Sequence, residues 1–245
     1  MFTPSNKKFT TADLCAYCGI APSKPGVGDH VIPRCIFEFE SHSVIRVPAC
    51  ERCNGQKSKD EGFVRDWLCS HADVDLSAVP QTVYDAFMRS ANEHNNSAIA
   101  NAARRHGRYE PRFTESGLYA GKGFSYPLDY KRIVRTFERV AQGLYYAAGA
   151  EGLRDNAQHP RLPRESQFEV WYVPHARIED QATFLSDRGA GGPISLGGGA
   201  CDILFGAEQT DKYIVTRSMV MFYNRSVAVD IQTGIIFDDH DLSRK

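Results

Sequence analysis

The sequence predicts an α+β chain in two unequal parts: a short, metal-stapled ββα module over residues 1–75 and a larger α+β domain over residues 76–245. Three observations predict it. Cys15-x-x-Cys18 and Cys50-x-x-Cys53 are two knuckles separated by 31 residues, the form of a four-thiolate zinc site in which each knuckle turns two sulfurs toward one tetrahedral ion. Two short β-patterned stretches precede the second knuckle, and a helical pattern follows it. Beyond residue 76, helical periodicity dominates to about Ala148 and then gives way to β-rich stretches from Phe168.

Met1 to Thr11 is polar and reads as a loosely held leader. After the first knuckle come Gly19, Pro22, Pro25, Gly26 and Gly28, a run of turn formers that makes loop. Val27 to Phe37 reads as a strand or hairpin arm, and Ser43 to Val47 as a second short β segment. In the helix that follows, Phe63, Val64, Trp67 and Leu68 fall at helical spacing and face the core, while Lys57, Lys59, Asp60, Arg65 and Asp66 supply a polar side. Asp73 to Pro80 is a connection. A helix carries Val83, Tyr84, Phe87, Met88 and Ala91, and a shorter one covers Ser97 to Arg105. Pro111 to Pro127 reads as loop or weak strand, rich in glycine and aromatics. From Asp129 to Ala148 a helix presents Ile133, Val134, Phe137, Val140, Ala141, Leu144 and Tyr145 on one face. The strands expected after it are Phe168 to Val173, Asp202 to Ala207, Lys212 to Tyr223 and Ser226 to Ile231, with a helix over Arg177 to Asp187. The glycine-rich stretch Gly189 to Gly199 lacks the Gly-Lys-Ser/Thr of a phosphate loop and reads as flexible connection.

A chain of 245 residues with 42% hydrophobic residues has the composition of a folded protein. It holds no apolar run near the ~20 residues that span a bilayer and no apolar signal core at its start, so a cytoplasmic, membrane-free protein is expected. In a reducing compartment four of the seven cysteines fit metal ligation better than a disulfide framework. Cys35, Cys69 and Cys201 are then free thiols. The formal net charge of -1 excludes a surface that is basic all over. Charge is uneven, however: from Ile99 to Glu165 there are 12 Lys or Arg against 7 Asp or Glu, so +5. Within that stretch Arg132, Arg135 and Arg139 are three, then four, residues apart and share a helix face. That face suits either a nucleic-acid backbone or water.

Between the knuckles lies Asp29-His30, and Asn54 follows the last cysteine directly. A carboxylate, an imidazole and an amide oxygen are what a one-metal phosphodiesterase needs: a hard oxygen ligand, a base that titrates near neutrality and a second ligand. Each residue also has an ordinary role. Asp29 and His30 suit a surface turn, Asn54 suits a helix N-cap, and Lys57, one turn on, suits either a phosphate or solvent. Neighbours on a regular strand point to opposite faces, so Asp29 and His30 serve one site only at a twisted strand end or bulge.

In their order, Cys-x-x-Cys, Asp-His, Cys-x-x-Cys-Asn, these residues resemble the HNH or ββα-metal nucleases. The likeness is closest to the zinc-stapled branch that includes junction resolvases of the phage endonuclease VII type, and it covers roughly the first 70 residues. Where the family carries its middle Asn, which props the histidine, this sequence has Ile45; His42 either replaces that prop or is an ordinary surface residue, and surface is the expectation. The resemblance implies a structural Zn2+ on the four cysteines and a catalytic Mg2+ or Mn2+ on Asp29 and Asn54. It further implies His30 as the base that deprotonates a water, and nucleic acid, DNA first, as substrate. Lys57 and the face of Arg132, Arg135 and Arg139 are the candidate nucleic-acid contacts. Two rival expectations are a branched-DNA resolvase, which needs a homodimer, and a catalytically inactive zinc module that binds nucleic acid or a protein partner. A third is a C-terminal domain that senses a regulatory partner and restrains the nuclease.

Overall fold

The computed structural model of the chain describes residues 9–26, 28–38, 44–92, 97–114, 116–150, 161–163, 166–187, 193–210 and 212–236. The expected strand starts at Val27 and Ser43, the polar leader up to Lys8, His42 and the first part of the Gly189 to Gly199 stretch lie outside these residues. The fold is mixed α and β with antiparallel sheets throughout, which makes it α+β.

Strand β1 (Gly28–His30) pairs antiparallel with β2 (Arg46–Pro48), and α1 (Glu51–Ser70) follows at once. β1 is shorter than its pattern suggested. Pro33 has no N–H to give a ladder, and a 3-10 turn over Arg34–Ile36 takes the chain away from β2. Gly28 has an ordinary φ, and what it supplies is room, since a Cβ there would lie 2.7 Å from the Phe9 ring and 3.0 Å from the Arg46 guanidinium.

Helices α2 (Gln81–Asn92) and α3 (Ala98–His106) lead to a two-stranded ribbon, β3 (Arg108–Phe113) and β4 (Tyr119–Ser125), where the sequence suggested loop or weak strand. Helix α4 (Tyr130–Ala150) then precedes a five-stranded antiparallel sheet in the order β5-β9-β8-β7-β6. Its strands are β5 (Gln167–Val173), β6 (Ile194–Leu196), β7 (Cys201–Gln209), β8 (Tyr213–Phe222) and β9 (Val227–Ile236), with α5 (Ile178–Asp187) between the first two. β6, inside the glycine-rich stretch, has too few residues to show a period.

The sheet is covered on both faces. Met219 and Met221 of β8 pack with Ile178, Ala182 and Leu185 of α5, while Val220 and Phe222, pointing the other way, join the core formed with α4. Phe137 and Phe222 meet edge to face with ring centroids 6.1 Å apart. That same core continues into the module through Val31, Ile45, Val47, Phe63, Val64, Trp67 and Leu68, so no apolar gap separates residues 1–75 from the rest. Gly143 allows the close approach, because a Cβ there would meet Val31 Cγ2 at 2.8 Å.

α1 is buried on more sides than a two-faced helix. Lys57 and Asp66, expected on its polar side, are both buried. Asp66 accepts from the Arg65 guanidinium at 2.6 Å and from Ser90 Oγ at 3.0 Å, because α2 packs against that side. Among the described residues no helix is long and apolar enough to cross a membrane.

Candidate functional site

The two knuckles meet. Cys15, Cys18, Cys50 and Cys53 place their sulfurs within 4.8 Å of one another, a cluster that can hold a metal ion such as zinc. Cys18 Sγ and Cys50 Sγ are 3.6 Å apart, far beyond the ~2.05 Å of a disulfide. That separation is close to the ~3.8 Å edge that Zn–S bonds of ~2.3 Å give a tetrahedron. The backbone builds this arrangement. The Gly19 N–H bonds to Cys15 O at 2.9 Å to close the first knuckle, and the Ala16 N–H bonds to Pro48 O at 2.9 Å to tie it to the end of β2. Cys50 is the N-cap of α1 and Cys53 lies in its first turn, where the positive end of the helix dipole favours thiolate. Burial, then the neighbouring Cys15 sulfur, push the Cys53 thiol up. Four thiolates at this spacing need a cation among them, so the donor set fits zinc.

Asp29 lies beside this cluster, buried, with both oxygens engaged. Tyr17 Oη donates to Oδ2 at 2.6 Å, and the Lys57 ammonium contacts Oδ1. Burial, then the charge of Asp29, raise the Tyr17 phenol well above its usual value, so it stays protonated and donates. Lys57 also donates to His30 O at 3.0 Å and pairs with Glu61 Oε1 at 2.7 Å. Three oxygens thus surround one buried nitrogen. In place of an open phosphate contact, Lys57 is a fixed cation on the carboxylate assigned to the divalent ion. The donor set as it stands does not fit Mg2+ or Mn2+ at Asp29, because Lys57 already neutralises it. Among the described residues, the four cysteines are the only group of three or more His, Cys, Asp or Glu side chains spaced to hold a metal.

His30 follows Asp29 on β1, and the ladder is regular there, with Asp29 opposite Val47 and His30 opposite Arg46. No bulge brings the two side chains to one face. The imidazole is half-buried and makes no hydrogen bond with a described residue. Ile45, the residue expected at the position of a propping Asn, is a core residue whose carbonyl accepts from the Val31 N–H at 3.0 Å. Burial first, then the charges of Arg46 and Arg34, lower His30 from the ordinary 6.5 to about 4. It is therefore a neutral imidazole at pH 7, with a proton affinity well below that of an ordinary histidine.

Asn54 is half-exposed in the first turns of α1 and is not the helix cap, a place held by Cys50. It lies three residues before Lys57, on the same helix face. The arginines of α4 turn toward α1. Arg132 Nε and Arg135 Nε donate to the Asp60 carboxylate at 2.8 and 3.0 Å, and Arg139 Nη1 donates to Cys53 O at 2.8 Å. Burial pushes the Asp60 carboxyl up, but Arg135 and Arg132 outweigh it and hold the group below its usual value. The expected backbone-tracking face is accordingly the seam between α4 and the module. A cleft of about 280 Å³ opens along that seam, lined by Gln56, Lys57, Asp60, Arg135, Thr136 and Arg139.

Three neighbours of the site escaped the sequence reading. Tyr17 sits inside the first knuckle, Arg46 is cross-strand from His30, and Glu61 is four residues from Lys57 on α1, a spacing that does signal an ion pair.

No protein-family model, curated protein or solved structure matches the chain.

Proposed function

We propose that this chain is an HNH-type endonuclease that hydrolyses nucleic-acid phosphodiester bonds, DNA first, with a structural zinc on Cys15, Cys18, Cys50 and Cys53. The observation that carries the reading is the joint placement of three elements. β1 with Asp29 and His30, β2, and α1 with Asn54 and Lys57 are gathered around one four-sulfur cluster. A zinc on these thiolates is closed to water and holds the module in register. His30 is the candidate base: neutral at pH 7, it takes the proton of a water that attacks phosphorus, while the bond from phosphorus to the departing 3′-oxygen breaks and that oxygen takes up a proton from solvent. Lys57 holds a positive charge beside Asp29 and fixes the His30 carbonyl, so the strand that carries the base is anchored to α1. A divalent ion on Asp29 and Asn54 requires Lys57 to leave Asp29 first.

Two observations favour a second reading, a catalytically inactive zinc module that binds nucleic acid or a protein. The carboxylate that should hold the metal is closed by Tyr17 and Lys57, and Ile45 gives the imidazole no prop. Incubation of the purified chain with plasmid, linear and branched DNA and with RNA, in Mg2+, Mn2+ or EDTA, separates the two. Cleavage under any of these conditions supports the nuclease, and binding without cleavage supports the inactive module.

A further inference from the structure

We propose that the β3–β4 ribbon is a docking surface for single-stranded nucleic acid, whose bases stack on its aromatic face. The ribbon forms its own two-stranded sheet, apart from the five-stranded one. Of the twelve exposed large hydrophobic side chains among the described residues, five are here: Tyr109, Phe113, Leu118, Tyr119 and Phe124, each between 50% and 74% exposed. An isolated ribbon of two strands gains little stability by itself, so fold stability does not account for so much apolar surface left in water.

The register sorts the side chains by face. Tyr109 is opposite Phe124, Pro111 opposite Lys122 and, beyond a bulge, Phe113 opposite Tyr119. Residues two apart on a strand share a face, so one face carries Tyr109, Pro111 and Phe113 with their partners. The outer pairs are ring pairs, with centroids 5.3 Å apart for Tyr109 and Phe124 and 6.0 Å for Phe113 and Tyr119. Lys122 lies between the two rungs. The rungs are four residues apart along β3, about 13 Å at ~3.3 Å per residue. That is nearly four times the ~3.4 Å rise of a stacked strand. Bases reach both rungs only from a strand whose own stacking is open, while a duplex keeps its base faces inside.

Charge selects the same partner. From Arg104 to Lys122 the sequence has five Lys or Arg against Glu110 and Glu115, so +3. Glu110 pairs with Arg108, whereas Arg105, Arg112 and Lys122 make no ion pair with a described residue. Arg112 lies across Gly123 on the opposite face, where a Cβ would meet its Cδ at 2.4 Å. A second copy of this basic ribbon would be repelled, and a polyanion with flat apolar bases matches both properties at once. The ribbon is also rooted near the module: Tyr126 Oη and Ser70 Oγ, at the end of α1, are 3.0 Å apart. Asn54 is sixteen residues back along α1, about 24 Å at ~1.5 Å per residue.

The inference rests on the nucleic-acid reading above, and its test reads binding alone, so a chain that binds without cutting still supports it. The zinc-loaded full chain is titrated, without added divalent ion, against a labelled oligothymidine of about 12 nucleotides and a duplex of the same length, followed by fluorescence anisotropy. The single strand should bind tighter than the duplex. Phe113→Ala with Tyr119→Ala should weaken it by about tenfold or more, since stacking is lost at one rung. Phe113→Leu with Tyr119→Leu keeps the apolar bulk, guards against a folding defect and should weaken binding similarly. Lys122→Ala should lower the salt slope by about one. Equal binding of strand and duplex would overturn the proposal, as would full binding by both double variants. A change of oligomeric state or loss of a protein partner, with strand binding unchanged, would assign the face to that partner instead.

Discussion

The ammonium of Lys57 lies against the carboxylate of Asp29, and both side chains are nine-tenths or more buried, at 10% and 3% exposed. A buried pair is costly to break from one side, because the remaining charge has no water to return to. Lys57→Met strands Asp29 and Glu61 together and should destabilise the chain by about 3–5 kcal/mol in urea denaturation. Lys57→Met combined with Asp29→Asn should cost less than the two single changes added. A strictly additive result would show that the contact is not maintained in solution. The single variant should also gain thermal stability from Mn2+, since two carboxylates then face the place the ammonium left.

Purified without added metal, the chain should contain one zinc, tested by elemental analysis. Cys50→Ser should lose soluble, folded protein and not merely activity, because the metal's binding free energy is folding free energy in a module of this size. A well-folded Cys50→Ser variant with no zinc would contradict the staple.

His30 sets a pH dependence. Its folded-state value is lowered to about 4, from 6.5 in the unfolded chain, so between these values the unfolded chain binds more protons. The contribution of His30 to stability is therefore present above about pH 6.5 and is lost as pH falls toward 4. Thermal melts of His30→Gln should show a flatter dependence on pH across that window than the wild type. Identical slopes would mean that the imidazole is not held neutral by its surroundings. The acid limb of any cleavage should likewise lie nearer pH 4 than 6.5.

Proteolysis probes how the module and the rest cohere. The segment from His71 to Pro80 is the connection between α1 and α2, and limited digestion should cut there. Because the apolar core and the Asp60 bonds to Arg132 and Arg135 cross that connection, the nicked fragments should stay together in gel filtration. Fragments that part at once would show two independent units.

Much of this was legible in the sequence, and the exceptions have a common cause. The knuckles, α1 and α4 announce themselves by spacing, since their period is set by what must face one ion or one core. The polar residues of α1 did not: Lys57 and Asp66 have the composition of a solvated face, yet Asp29 of β1 and Ser90 of α2 reach them from other elements, beside Glu61 and Arg65 of α1 itself. Arg132, Arg135 and Arg139 likewise share a face as spacing says, but which surface lies opposite that face is decided by tertiary packing. The ribbon β3–β4 read as loop or weak strand because its aromatics are exposed and no buried alternation marks its strands. His30 kept its place on β1, while its depressed basicity comes first from burial and then from Arg46 and Arg34; burial and the cross-strand Arg46 are set by tertiary packing, which no local pattern shows.

The central claim is tested most directly by cleavage of DNA and RNA substrates by wild type and His30→Ala, across a titration of Mg2+ and Mn2+ and in EDTA. The wild type should cut, and His30→Ala should be slower by about 10²- to 10⁴-fold, the usual cost of losing a general base. Zinc content and nucleic-acid affinity should be unchanged in that variant. A His30→Ala protein that cuts like wild type, or a wild type that cuts no substrate under any of these conditions, would contradict it.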